Sequence, residues 1–381
     1  MICKGKPAHV FFHKEENLMK KKIVAYLVAS LAVFSLAGCG SITSAPADTA
    51  KTEAEEVASE DTKEAETETE TAEPSGDALE LKIGVSTAET DPRNIAAEQF
   101  AQEISEKTGG ALTAKVYPSG QLGADADLIN SLALDSGTVD IIITDASNFA
   151  TYEPLMGISA LPFNFSDFDK AWAFMDSDIE ADAEAGLIDQ NMRVLAHYDN
   201  GFRCVTNSKG PVESPEDMKG MLIRTPENPV IMATMTALGA NPQPLAFSEL
   251  YQALQQGTYD AQENPIPVIY NNKLYEVQEY LSVTNHIYSG MCFTIAESVW
   301  QKLSPEQQEI VQAAASASAE ADRTMNRKQT DELVSNLEAE GMKINYPDLA
   351  PFQEATASVL TDNASTYGEL LDRLNEWKAA N

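Results

Sequence analysis

Arg224 stands where a short apolar run ends and the chain must bend: Met221-Leu222-Ile223 leads into it and Thr225-Pro226 follows. A residue preceding proline is pushed toward extended backbone, so the arginine is expected near a strand end and a crevice. Further on, Asp260-Ala261-Gln262-Glu263 leads to Asn264, which Pro265 follows. A guanidinium fork and a carboxamide at strand ends suit a two-oxygen anion, one through bidentate charge pairing and the other through an orienting hydrogen bond. The stretch 220–265 is therefore expected to bind a carboxylate, with an exposed Arg224 in a surface ion pair as the competing interpretation. Arg203 is a second candidate anion ligand, or alternatively one half of a structural ion pair. Glu89, Asp145 and Asn148 lie in strand-end loops, where each could receive a ligand hydroxyl or simply cap or solvate the loop.

The elements that would position these groups alternate. Leu79, Leu81, Ile83 and Val85 predict a strand, Asp91-Pro92 starts a helix that stops at Gly109-Gly110, and strands are expected over 112–117 and 139–143. Such alternation predicts an α/β domain with a mainly parallel sheet, whose ligands meet the carboxyl ends of the strands. A strand over 194–198 is expected to turn at Asp199-Asn200-Gly201 into a second one over 202–206. Ser304-Pro305-Glu306-Gln307 combines an N-cap, a first-turn proline and a capping-box glutamine, and nothing breaks the helix before Gly341. A run of that length exceeds the width of one small domain, so it must bridge two or project into solvent.

The 381 residues carry a formal charge of −33 and are 43% hydrophobic, which supports sizeable cores and excludes a nucleic-acid footprint. Lys20-Lys21-Lys22, the apolar stretch 23–36 and Leu36-Ala37-Gly38-Cys39 predict an export signal over 1–38, with a possible true start at Met19. The last four residues resemble a bacterial lipobox, which implies lipidation of Cys39 and anchoring to the outer face of the bacterial cell membrane. Residues 39–76, acidic and without aromatics, are expected to be a disordered tether. Cys204 and Cys292 have no Cys or His neighbour at metal-ligand spacing, so no metal or cofactor is expected; they are buried thiols or a disulfide pair.

Several segments together resemble the extracytoplasmic solute-binding proteins of TRAP transporters, the dicarboxylate-binding-protein type. They are Tyr117-Pro118-Ser119-Gly120-Gln121-Leu122-Gly123, Leu161-Pro162-Phe163, Pro215-Glu216-Asp217-Met218-Lys219-Gly220, Tyr251-Gln252-Ala253-Leu254-Gln255 and Gln262-Glu263-Asn264-Pro265. The resemblance runs from Leu79 to the C-terminus. It implies a two-lobed periplasmic-binding-protein-like α/β fold with hinge strands and a long helix spanning both lobes. Lobe 1 is expected over 77–200 plus 290–329, and lobe 2 over 201–289 plus 330–381. By the resemblance Arg224 takes the principal carboxylate-binding position, Arg203 the second arginine near the hinge, and Asn264 the ligand-holding asparagine. Asp145 and Asn148 fall in a variable specificity loop, and the loop 86–92 lacks the histidine common before its proline. Glu89, Asp145, Asn148 and Gln121 suit hydroxyls, which inclines the expected ligand toward a sugar acid such as a hexuronate. The implied role is capture by a monomer and delivery to a TRAP permease, with no catalysis. A C4-dicarboxylate-binding protein, an exported enzyme and a sensor component are the alternatives.

Overall fold

The computed structural model describes residues 78–380. The expected signal, Cys39 and the whole of the tether lie outside them. Nine strands form one sheet: β1 (Leu79–Gly84), β2 (Leu112–Tyr117), β3 (Ile141–Asp145), β4 (Met192–Asn207), β5 (Leu222–Thr225), β6 (Asn241–Pro244), β7 (Ala261–Pro265), β8 (Tyr280–Ala296) and β9 (Lys343–Asn345). Their order is β2-β1-β3-β8-β4-β7-β5-β6, with β9 beside β8. Two parallel groups, β2-β1-β3 and β7-β5-β6, are thus joined through the antiparallel pair β4 and β8. The alternation of strand and helix in the sequence is the cause of the parallel groups, since each parallel neighbour needs a crossover.

β4 and β8 each run through both halves. Where a turn was expected at Asp199-Asn200-Gly201, β4 continues through register shifts between Val194 and Ala196, Asp199 and Gly201, and Arg203 and Val205. Gly201 holds φ +106°, and an added Cβ would meet Asn326 Nδ2 and Pro265 Cβ at 3.4 Å. Bulges of this kind bend a strand without ending it. The turn-like residues therefore mark the place where the long strand changes direction.

The helix Pro305–Ala339 closes its own N-terminus: Ser304 Oγ accepts from Gln307 N at 3.2 Å, and Gln307 Oε1 accepts from Ser304 N at 2.9 Å. Its 35 residues span about 52 Å at 1.5 Å each, and it bridges. Val311, Ala314, Ala315 and Ala319 join the larger core with β1, β3 and the helix Pro92–Lys107, whereas Leu333 and Leu337 join the core beneath the helices Phe247–Gln255 and Ile266–Asn271. Small residues let it lie close to β4. There Tyr198 Oη donates to Ser318 Oγ at 2.7 Å, Asp199 N donates to Asp322 at 2.7 Å, and Asn326 Nδ2 donates to Asp199 at 2.6 Å.

One allotment of residues changes. Val359, Tyr367, Leu370, Leu371 and Leu374 belong to the first core cluster, while Phe352 sits with Val205, Ile223 and Met235 in the third. The C-terminal segment, expected whole in lobe 2, thus packs after Phe352 with the larger core cluster that also holds β1 and β3. Cys204 and Cys292 are buried free thiols rather than a disulfide. No helix among the described residues is long and apolar enough to cross a membrane.

The positive φ at the β4 bulge predicts that Gly201→Ala lowers the unfolding free energy by about 1–3 kcal/mol. Urea denaturation would check this; an unchanged midpoint would mean that the strand bends elsewhere.

Candidate functional site

The carboxyl ends of β1, β3, β5 and β7 meet β4 and β8 around a small inner chamber of about 40 Å³. A larger cavity of about 730 Å³ adjoins it and shares Asp125, Asn148, Arg224, Pro226 and Phe247. This is the meeting point of the two parallel groups, where strand order leaves an opening between loops.

Arg224 is 3% exposed and lines both cavities. Its Nε donates to Leu245 O at 2.8 Å, Nη2 donates to the same carbonyl, and the guanidinium lies 5.8 Å from the Phe247 ring centroid. One edge of the fork is thereby fixed, while Nη1 has no hydrogen-bond partner among the described residues. Each of the six other arginines forms an ion pair with a carboxylate within 4.0 Å, and among the described residues Arg224 forms none. Burial, unmatched by such a contact, pulls its pKa down to about 10, so it keeps its charge near neutrality.

Arg203 behaves differently. Its Nε and Nη2 both donate to the carboxylate of Glu263, the latter at 2.8 Å, and Nη2 also reaches Asn264 Oδ1 at 3.2 Å. Nη1 reaches Ser289 Oγ at 3.3 Å. The fork is spent within the protein, and the structural ion pair raised as an alternative is what forms. Glu263 is wholly buried and also lies 3.3 Å from His286 Nε2. Burial alone would raise its pKa, but Arg203 and the His286 hydrogen bond outweigh that and hold it down at about 2.

A third buried guanidinium, Arg93, completes the ring of cations around the chamber. Asp91, the N-cap of the helix Pro92–Lys107, accepts from Arg93 Nε at 2.8 Å, and Nη2 donates to Asn200 Oδ1 on the β4 bulge. Arg93 escaped sequence reasoning because a basic residue in a first turn looks like solvated surface. Its place directly after the strand-end loop 86–91 was the available signal. Asp125, at the start of the helix Asp125–Ala133, was likewise hidden among ordinary first-turn acids. Part of it stays accessible at the chamber mouth, but its carboxylate is surrounded by protein, and desolvation raises its pKa despite hydrogen bonds with Thr144 and Ser86.

Of the other expected residues, Asn264, Asp145 and Asn148 line the chamber. Asn264 donates to Gln262 Oε1 at 2.6 Å. Asp145 caps the turn after β3 through Ser147 N at 2.9 Å and also accepts from Ser289 Oγ, so much of its carboxylate is occupied. Asn148 donates to Thr144 Oγ1 at 3.0 Å. Glu89 and Gln121 fall elsewhere. Glu89 is exposed beside a separate groove with Ile95 and Glu98, because Asn94 grips the carbonyls of Thr87 and Ala88 and turns the loop outward there. Gln121 is exposed and lines neither cavity; it follows β2, the edge strand, away from the central opening.

The arrangement can fix one carboxylate through Arg224 and offer hydroxyl partners from Thr87, Asn148, Asn200 and Asn264. Val268, Met291 and Phe247 supply apolar contact. Among the described residues the chamber lining contains neither a Cys nor a His.

Residues 83–366 match the family described as bacterial extracellular solute-binding protein, family 7. The 2,3-diketo-L-gulonate-binding periplasmic protein of Escherichia coli is 34% identical over 286 residues, covering 75% of this chain and 87% of that protein. A crystal structure of a TRAP periplasmic solute-binding protein from Polaromonas, bound to D-erythronate, is similar with a TM-score of 0.75 and 34% identity over 77% of this chain and 97% of that one. Another, from Sulfitobacter with bound β-D-galacturonate, has a TM-score of 0.75 and 29% identity over 79% of this chain and 100% of that one.

The buried ion pair sets a pH window. Glu263 is depressed in the folded state, so its stabilisation is present above its ordinary value of 4.5 and is lost as pH falls from there toward about 2. Glu263→Gln would leave Arg203 buried without its counter-charge, at a cost of about 3–5 kcal/mol at neutral pH. The variant should also show a flatter acid limb in urea unfolding than the wild type; parallel pH profiles would refute the assignment.

Proposed function

The chain belongs to the family 7 bacterial extracellular solute-binding proteins, and from that premise we propose that it captures a sugar-derived monocarboxylic acid outside the cytoplasm and delivers it to a TRAP-type permease. The observation that carries the substrate class is Arg224, a buried arginine without a carboxylate partner, beside hydroxyl-binding side chains. A ligand carboxylate supplies the missing counter-charge, and the fork pairs with it through the edge that Leu245 leaves available. Asn264, Asn148 and Thr87 then take ligand hydroxyls, while Arg203 and Asp145 position the walls. Erythronate and galacturonate, bound by the two similar proteins, are both hydroxylated acids with one carboxylate.

Capture proceeds by approach of the two halves about β4 and β8, which expels water and strengthens the Arg224 pair. The long helix spans both halves and limits their relative travel. A C4 dicarboxylate would need a second cation at its far end, and a similar protein from Sulfurospirillum does hold succinate. Here Arg93 and Arg203 are the candidates, but both are already paired with Asp91 and Glu263, which favours the sugar acid.

The Leu36-Ala37-Gly38-Cys39 segment supports anchoring as a lipoprotein, with residues 39–76 as the tether and the folded part acting as a monomer. Cys39→Ser should move the protein from the membrane fraction to the soluble one without changing its affinity for the acid. Continued membrane association of that variant would defeat the anchor assignment.

Arg224→Lys keeps the charge but loses the planar fork. Since a charge-assisted hydrogen bond contributes about 1.5–3 kcal/mol, binding of galacturonate or erythronate should weaken at least about tenfold in calorimetry. Equal affinity of variant and wild type would remove Arg224 from the site. A thermal-shift panel of uronates, aldonates and dicarboxylates chooses among ligands, because a binder of the folded form raises stability in proportion to RT ln(1 + [L]/Kd). Response to dicarboxylates alone would overturn the sugar-acid assignment.

A further inference from the structure

Away from the chamber, a second group of chemically capable side chains has no part in ligand capture. His197 on β4 and Cys292 on β8 are direct cross-strand partners. Their side chains therefore emerge side by side on one face of the sheet. The helix Asp178–Glu184 packs over that face. Glu180 and Glu184, one turn apart on it, both point downward, since residues at i and i+4 share a side of a helix. Glu184 hydrogen-bonds His197 Nε2, and a Glu184 carboxylate oxygen, a His197 ring nitrogen and Cys292 Sγ all lie within 4.8 Å of one another.

Glu180 is the independent sign that something more belongs here. It is 0% exposed, and neither of its carboxylate oxygens has a hydrogen-bond partner among the described residues. It lies close enough to interact electrostatically with Glu184, His197 and Cys292. A carboxyl group without a hydrogen-bond partner in a protein interior is costly whether charged or neutral, and buried polar groups ordinarily find a hydrogen bond or a metal. Behind His197, Asp176 stands 3.5 Å from Nδ1 and is itself gripped by Arg323 through Nη1 and Nη2 at 2.6 and 2.7 Å. Orienting a histidine through its second nitrogen by a carboxylate that is held in turn is the outer arrangement common to histidine-ligated metals.

We propose that Glu184, His197 and Cys292 bind a zinc-type divalent metal ion, with Glu180 as the neighbouring carboxylate and Asp176 orienting the histidine. Sulfur, nitrogen and oxygen donors together suit zinc rather than calcium or magnesium, which take oxygen ligands. Tetrahedral zinc with bonds of about 2.0–2.3 Å needs donors roughly 3.3–3.8 Å apart. The observed donors lie within 4.8 Å of one another, and the ion would replace the Glu184–His197 hydrogen bond. The ion enters between Glu184 and His197, where a surface cavity of about 390 Å³ lined by Asp176, Glu184 and His197 gives access. Once bound, it ties the helix Asp178–Glu184 to the two long strands. No sequence spacing announces this site, because its thiol and its imidazole are brought together only by strand pairing.

The test uses the full chain, stripped with EDTA and titrated with Co²⁺ as a spectroscopic probe and then with Zn²⁺ as competitor. One equivalent of Co²⁺ with a thiolate-to-cobalt charge-transfer band is expected, the band being lost in Cys292→Ser and kept in Cys39→Ser. Absence of that band from the wild type, or its persistence in Cys292→Ser, overturns the proposal. The wild-type spectrum decides even if a core variant fails to fold. Asp176→Asn, a half-exposed position, should weaken Zn²⁺ binding about 10- to 100-fold. Unchanged affinity there overturns the orienting role given to Asp176.

Discussion

Two strands of 16 and 17 residues, β4 and β8, lie antiparallel through both halves of the molecule and join the two parallel groups whose strand ends carry the chamber. β4 contributes Asn200 and Arg203 to the chamber wall, and β8 contributes Met291, while Ser289 on β8 hydrogen-bonds Asn200, Arg203 and Asp145. The three register shifts along the pair let the strands bend without breaking their ladder. Backbone hydrogen bonds hold that pairing, so the two halves stay joined, and the bends are where the proposed closure would pivot. Fixed separation together with a hinge is the mechanical requirement of a cleft that closes on a solute.

Electrostatics then decide which side chain faces the solute. Three arginines surround a chamber in a chain whose formal charge is −33. Two of them have their charge answered by Asp91 and Glu263. Those pairs make rigid walls, because breaking either would strand a buried charge. Arg224 makes no ion pair among the described residues; the Leu245 carbonyl and the Phe247 ring orient its fork, and Glu263 and Asp125 act on it from a distance. The difference among three chemically identical side chains is therefore one of counter-charge. The acidic mean field of the surface is screened over about 8 Å at physiological salt, so the local arginine governs the contact.

The long helix belongs to the same mechanical scheme. Its first half is buried in the larger core and its last turns in a smaller one, while Ser318, Asp322 and Asn326 attach its middle to the β4 bulge. Burial pushes the Asp322 carboxyl well above its ordinary range. An uncharged acid there can rest against β4 without an ionic partner. Burial in both cores and attachment at the bend connect the two halves through one element.

Much of the architecture was legible in the chain itself: alternating strands and helices, the capped start of the helix at Ser304, and the strand-end positions of Arg224 and Asn264. Each rests on local rules, namely periodicity, capping and turn chemistry, which act over a few residues. Local rules could not separate Glu89 and Gln121, which face solvent, from Asp145 and Asn148, which line the chamber, since all four are polar residues in loops. Nor could they find Arg93 and Asp125, disguised as ordinary first-turn charges, or tell that Arg203 would be spent on Glu263. The sequence by itself determined which segments become strands and helices, and which family pattern they follow. Only tertiary structure decided which charges are answered and which are left open, and that His197 should stand beside Cys292, because pairing between distant strands sets those distances.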